Sequence, residues 1–384
     1  MANDISAIMP KILARGLMNL RKQAIMPRIV NGSYNGDAAQ KGNVINVPVP
    51  SDVAATDVAP ANIPPVTPDL VIPTVPITLA NWKQAPFKLT DAELLQIDRN
   101  QSFIPMQTEA AVKSLAEAVN ADIMANYKGI YGFAGTPGTT PFATTVGAIT
   151  EARKVLNFQK APRTDRRAVL DFAAEANALG LPQYSDLQTT GDDLVKIEGQ
   201  LGRKFGFDHY SDDDVPTHVK GVAGAGPFAV NNGAGYPVGT TTLNIDGLTV
   251  TTGQFVKGDI LSFFGHSQTY VVTVTTTANG AGNASVTIAP ALVSAVVDNE
   301  VVAQKGTHVV NLAFHRDAFA VAVRPLENSQ LDATLANILT MTDPLTGLSM
   351  RLELSRQHKQ WVWAFDILWG SALIRPELGC RIAG

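Results

Sequence analysis

Residues 105–129, PMQTEAAVKSLAEAVNADIMANYKG, dictate how the rest of the chain has to be arranged. Ala111, Val112, Leu115, Val119, Ile123 and Tyr127 recur at steps of three and four, so one face of a helix is apolar. Glu109, Lys113 and Glu117 fall on another side at four-residue spacing, which supports the helix and keeps that side in water. Pro105 suits a first turn, and Gly129 suits a left-handed terminating residue. At about 1.5 Å per residue the rod is on the order of 30 Å long. Such a helix needs a broad apolar partner.

Two runs near the C-terminus supply that partner. Trp361, Trp363, Phe365, Ile367 and Trp369 share one face by the two-residue period of a strand, and Met350, Leu352 and Leu354 do the same on the preceding run. A stiff sheet with this bulky face is expected to pack on the 105–129 helix.

Ahead of the helix the chain changes character twice. Residues 11–26, KILARGLMNLRKQAIM, carry Leu13, Leu17, Leu20 and Ala24 at helical spacing, and Pro27 is expected to end that helix. Lys11, Arg15, Arg21, Lys22 and Arg28 make this arm (residues 1–32) locally positive. It either docks on its own domain or meets a neighbour or a polyanion. Residues 33–95 hold strand formers such as Val44, Val47, Val49, Val71, Val75 and Ile77, interrupted by prolines at 48, 50, 60, 64, 65, 68, 73 and 76. Proline cannot donate to a sheet ladder, so the stretch reads as an extended projecting loop, with Trp82 and Phe87 as anchors at its base.

Beyond the helix region (96–140), residues 141–221 alternate helical patterns with a short apolar strand, RRAVLDF, and read as an α/β unit without doubly wound regularity. A further helix is expected at 191–201. Residues 222–305 turn to all-β composition, with alternating runs parted by Gly/Asn turns, as in a small inserted barrel or sandwich. Residues 306–384 carry the closing long strands. The fold class is therefore α+β.

The 384 residues include 45% hydrophobic and 17% charged positions, and the net charge of −4 argues against a dedicated nucleic-acid binder. Cys380 is the one cysteine, which excludes an internal disulfide and a cysteine-based zinc site. No signal-like N-terminus or membrane-length apolar run is read, so synthesis in the cytosol is expected.

Catalytic signatures are not found. The histidines at 209, 218, 266, 308, 315 and 358 have no metal-ligand spacing. Asp212, Asp213 and Asp214 lack the glycine and closing glutamate of a calcium loop and are expected in a solvated loop. Gly224–Ala229 matches a loose dinucleotide pattern, but Asn231-Asn232-Gly233 follows where a helix would have to start. No enzyme, cofactor or metal is expected.

The order of parts resembles the major capsid fold of tailed double-stranded-DNA phages. Leu201–Pro216 (LGRKFGFDHYSDDDVP), Asn311–Leu326 (NLAFHRDAFAVAVRPL) and Gly370–Ile382 (GSALIRPELGCRI), with VKGDILSFFG and VTIAPAL between them, are similar to the coat-protein family of short-tailed Lederberg-type phages. The resemblance implies a shell subunit with a spine helix, a peripheral and an axial domain and an inserted β domain. It further implies pentamers and hexamers, a procapsid built with scaffolding protein and portal in the bacterial cytoplasm, and expansion around packaged DNA. Decoration proteins are an optional partner. The arm cations are then candidates for contact with scaffold or DNA. One departure is the insertion tip Thr276–Ser285 (TTANGAGNAS), which contains no acid or base where better-known relatives carry an acidic loop. The alternatives are an encapsulin-like shell, a β-rich surface adhesin, and an enzyme with a cleft beside the final sheet.

Overall fold

The computed structural model describes residues 24–34, 43–50, 57, 60, 71–93, 103–186, 198–326, 337–342 and 347–384. Lys11, Arg15, Arg21 and Lys22, all but the last three residues of the helix read at 11–26, nearly all of the loop tip and most of 191–201 lie outside them.

A helical turn, α1 (Met26–Ile29), holds Pro27 in its first turn, and Ala24 and Ile25 just before it are not helical. The missing N–H is harmless there, because first-turn amides have no intrahelical acceptor. Strands β1 (Val44–Pro48) and β2 (Thr74–Thr78) form an antiparallel hairpin in the register Val44↔Thr78 to Pro48↔Thr74. Its inner residues Ile45, Val47, Ile77 and Leu79 pack on the small side chains of Ala320 and Ala322 and on Ile374.

Strand β3 (Asn81–Thr90) departs from the loop reading, since it belongs to the long sheet. Among the described residues its partner is one strand, so it lies at an edge, where Pro86 leaves no central ladder broken.

The long helix α2 (Phe103–Ala125) ends in a 3-10 turn, Asn126–Gly129, followed by extended Ile130. Gly129 is not left-handed. A Cβ there would lie 2.6 Å from Leu373 Cδ2, so glycine is kept by close approach to the sheet.

Next come β4 (Gly132–Gly135), α3 (Gly147–Phe158), β5 (Arg166–Leu170) and α4 (Phe172–Gly180), the last capped by the Asp171 side chain, which accepts from Ala173 N–H. Then follow β6 (Arg203–Lys204), β7 (Phe207–Ser211) and β8 (Thr217–His218).

The β-rich stretch contributes β9 (Phe228–Val230), β10 (Thr242–Asp246), β11 (Gln254–Phe255), β12 (Ile260–Phe263), β13 (Tyr270–Val272), β14 (Thr276–Thr277), β15 (Ala284–Ala289) and β16 (Val301–Gln304). Six of these close a barrel in the order β10-β15-β13-β12-β16-β9, while β11 and β14 pair separately. Closure leaves no open edge for unwanted pairing. The interior is filled by Val230, Leu243, Ile245, Leu261, Phe263, Tyr270, Val286, Ile288 and Val302.

The chain then returns as β17 (His308–His315), β18 (Phe319–Arg324), β19 (Asn337–Thr342), β20 (Ser349–Gln357), β21 (Gln360–Leu373) and β22 (Gly379–Ala383). One sheet runs β4-β22-β17-β5-β7-β6, with β8 beside β17, and is parallel only at β4/β22 and β5/β7. The other is organised on the 14-residue β21, which pairs with β3 along Gln360–Trp369, with β20 along Gln360–Asp366 and with β18 along Leu368–Leu373. The helix α2 crosses β3 and β21, and the main core is continuous from this joint into the first sheet.

Candidate functional site

The joint between α2 and the long sheet is mainly apolar. Val112, Leu115, Val119, Ile123 and Tyr127 are buried, and so are Trp363, Phe365, Ile367 and Trp369. Trp361 is half-buried, since it pairs near the free end of β3, and Arg356 lies 5.2 Å over its ring. Asp122 anchors the crossing by accepting from Trp369 Nε1 (3.0 Å) and Ser371 Oγ (2.6 Å), while Asn126 Nδ2 donates to Ser371 Oγ at 2.8 Å. These polar stitches have no signature in the sequence, since an Asp on an amphipathic helix resembles any solvated residue.

Trp82 and Phe87 separate. Phe87 is half-buried and stacks on Trp363 with centroids 6.1 Å apart and 3° between planes. Trp82 is 63% exposed on the outer face, where its Nε1 donates to Asp366 Oδ2 at 3.0 Å. Asp366 also takes two bonds from Arg351, at 3.0 and 2.6 Å. The two aromatics lie an odd number of residues apart, so a strand must send them to opposite faces. That parity was legible in the sequence.

The root of the N-terminal arm is held from three sides. Met26 N–H donates to Asn120 Oδ1 on α2 (2.9 Å), Arg167 on β5 donates to the Ile29 carbonyl, and Asn31 bridges to β18 through Phe319 O and Val321 N. Arg28 remains exposed and lines a cleft of ≈ 730 Å³ with Glu175, Arg203, Asp208 and His209. His209 Nδ1 donates to Gly202 O and Nε2 accepts from Tyr184 Oη, both at 3.2 Å, and burial pushes its imidazole down to about 4. With both nitrogens engaged, it has none free for a bound reactant.

The acidic run departs from the solvated-loop expectation. Asp212 is buried, Asp214 is half-buried and Asp213 is exposed, with the three carboxylates within 4.8 Å of one another. Burial against α2 raises both Asp212 and Asp214 above the ordinary carboxylate range.

The second joint fixes the barrel to the body. Asp259, in the turn before β12, accepts from His218 Nε2 (2.9 Å), Gly221 N, Val256 N (2.9 Å) and Gln304 Nε2 (2.9 Å). A carboxylate only accepts, so His218 donates through Nε2, and its Nδ1 lies 3.1 Å from the Tyr127 hydroxyl. Arg381 on β22 donates to Gly258 O (2.7 Å) and lies 5.0 Å over the Tyr127 ring. Burial pushes its guanidinium down to about 9, which still leaves it charged at neutral pH. His308 lies 5.4 Å from the His218 ring, and burial pushes it down to about 4.

The Tyr127–His218–Asp259 chain has the order of a proton relay. All three are nonetheless buried to within 4% exposure and locked by structural partners, so no reacting atom has access. Sequence spacing does not flag these residues, which lie 91 and 41 positions apart. Among the described residues, no helix is long and apolar enough to cross a membrane.

Comparison with solved structures finds this fold in other proteins. The fold is shared with a chain from Mycobacterium phage Che8 at 13% identity, covering 94% of this chain and 90% of that one, with a TM-score of 0.52. More distant similarity extends to the capsid of Cyanophage P-SCSP1u (10% identity, 89% and 84% covered, TM-score 0.48). It also reaches a virus-like particle from Pyrococcus furiosus (7% identity, 97% and 98% covered, TM-score 0.46). No family model and no curated protein sequence matches the chain.

Proposed function

We propose that the chain is the major capsid protein of a tailed double-stranded-DNA phage of the Lederberg type, and that its function lies in contacts between copies of itself. The observation that carries the proposal is the fold shared along nearly the whole chain with the Mycobacterium phage Che8 structure. In this reading α2 is the spine helix, the sheet on β21 is the peripheral domain, the sheet on β17 is the axial domain, and the barrel between β8 and β17 is an inserted module. The β1–β2 hairpin carries a tip that lies across a neighbouring subunit. The arm bearing Lys11, Arg15, Arg21, Lys22 and Arg28 meets scaffold or packaged DNA. Pentamers and hexamers close a procapsid in the host cytoplasm, around a portal and with scaffolding protein, before DNA enters. The neutral barrel tip leaves contact between capsomers to other surfaces.

The physical logic is that a segment which gains burial on meeting a neighbouring copy couples its ordering to assembly, and each weak contact is repeated around a closed shell. Negative-stain electron microscopy of the protein expressed with and without its neighbouring scaffold gene tests the reading. Uniform closed shells are expected with scaffold. A monodisperse small oligomer under both conditions would overturn it.

A further inference from the structure

Asn120 is 1% exposed on α2, and its single side chain serves two clients. Its Oδ1 accepts the Met26 amide at the start of α1, and its Nδ2 donates to Asp212 Oδ2 at 2.7 Å and Asp214 Oδ2 at 2.9 Å. Asp214 N–H closes the ring onto Asp212 Oδ1 at 3.0 Å, and Asp212 N–H is fixed to Leu170 O on β5. The arm root, the long helix and the first sheet therefore meet at one neutral amide.

That amide faces two acids. The charges acting on them are each other, exposed Asp213 and Glu117 on α2, all negative. The cations on the packed elements are occupied elsewhere: Arg167 on the Ile29 carbonyl, Lys113 on Glu117 at 3.5 Å, and Arg28 exposed in the cleft. Among the described residues the hydrogen-bond partners of the two carboxylates are Asn120 Nδ2 and the Asp214 amide, both uncharged. Two desolvated carboxylates sharing one uncharged donor are least comfortable when both are ionised.

We infer that Asn120, Asp212 and Asp214 form a charge-sensitive latch that grips the arm root more tightly in mild acid and more loosely at neutral and alkaline pH. The sign follows from linkage. Burial raises the two acids in the closed state above the ordinary value of about 4, so the closed latch keeps a proton that the open one releases. The stabilisation is complete below that ordinary value and is lost as pH rises through the raised values. The latch is a property of the subunit and holds whether or not the subunit builds a shell.

Hydrogen exchange of the Met26 amide in the full-length unassembled subunit reads the latch directly. Wild type, Asp214→Asn and Asp213→Asn are compared at about pH 4 and at about pH 8, and taking ratios within one pH cancels the chemistry of exchange. Asp214→Asn removes one charge and keeps an acceptor, so protection relative to wild type is expected to rise about threefold to tenfold at pH 8 and to be smaller at about pH 4, where the closed latch holds its proton. Asp213→Asn, the exposed control, is expected to stay within about twofold at both. Equal ratios at the two pH values, or the same gain from Asp213→Asn, would overturn the inference. If Asp214→Asn does not fold, Asp212→Asn takes its place: a larger gain at the higher pH is expected, and equal ratios at the two pH values would again overturn the latch.

Discussion

The two joints of this subunit are built from opposite materials. Where α2 crosses the long sheet, the contact is a broad apolar face sewn by Asp122 at one end. Where the barrel meets the body, the contact is a buried carboxylate ringed by donors, with a buried arginine beside it and the small cluster of Phe133, Ile260, Val271 and Ala383, flanked by Tyr131 and Ala289, as apolar backing. An apolar face tolerates small displacements because burial energy is non-directional. A hydrogen-bonded hub does not, because each donor loses its acceptor when geometry fails. The first joint therefore suits a crossing of long elements, and the second suits fixing one angle between two bodies.

The sharpest way to break this contrast is Asp259→Ala. It strands His218, two backbone amides and Gln304, and is expected to destabilise the subunit by about 3–5 kcal/mol in urea unfolding, with the barrel opened to protease. A loss under about 1 kcal/mol would show that the hub does not organise the joint. At the apolar joint, Trp369→Phe keeps most of the buried ring and removes the Nε1 bond to Asp122. The same measurement is expected to show a loss of about 1–3 kcal/mol with the barrel still protected.

A pH series sharpens the comparison further. His308 is held neutral with its value near 4, below the ordinary 6.5, so its contribution is intact above about pH 6.5 and is lost as pH falls toward 4. Acid should thus weaken the barrel joint while it tightens the latch at the arm root. Thermal scans of wild type and His308→Gln between pH 7 and pH 4 are expected to show a shallower decline in the variant. Parallel curves would remove the role of His308.

The smallest effect on the subunit is expected from deleting residues 52–70. Its unfolding free energy should stay within about 1 kcal/mol of wild type, because a shortened loop changes closure entropy only slowly. Closed particles should no longer be seen by electron microscopy. Normal shells from the deletion variant would make the loop dispensable.

The apolar joint could be read from the chain because periodicity reports burial: the α2 stripe and the alternate aromatics of β21 are each local patterns. The same local signals mark the β-rich stretch and the strand at 166–170. They misjudge β3, an edge strand with Pro86 inside it that was read with the loop, and Gly129, where contact with Leu373 outweighs any turn geometry. Pairing Trp82 with Phe87 as joint anchors fails because strand parity separates them.

What the sequence determined by itself was the set of elements with their apolar faces, because a helix or strand declares its buried side within a few residues. Only the tertiary structure decided the polar junctions. Asn120 meets Asp212 across 92 positions, and Tyr127 meets His218 across 91. No local pattern announces such partners: a buried polar group is stable only where distant segments bring it a matching donor or acceptor, and that match exists only once the chain has folded.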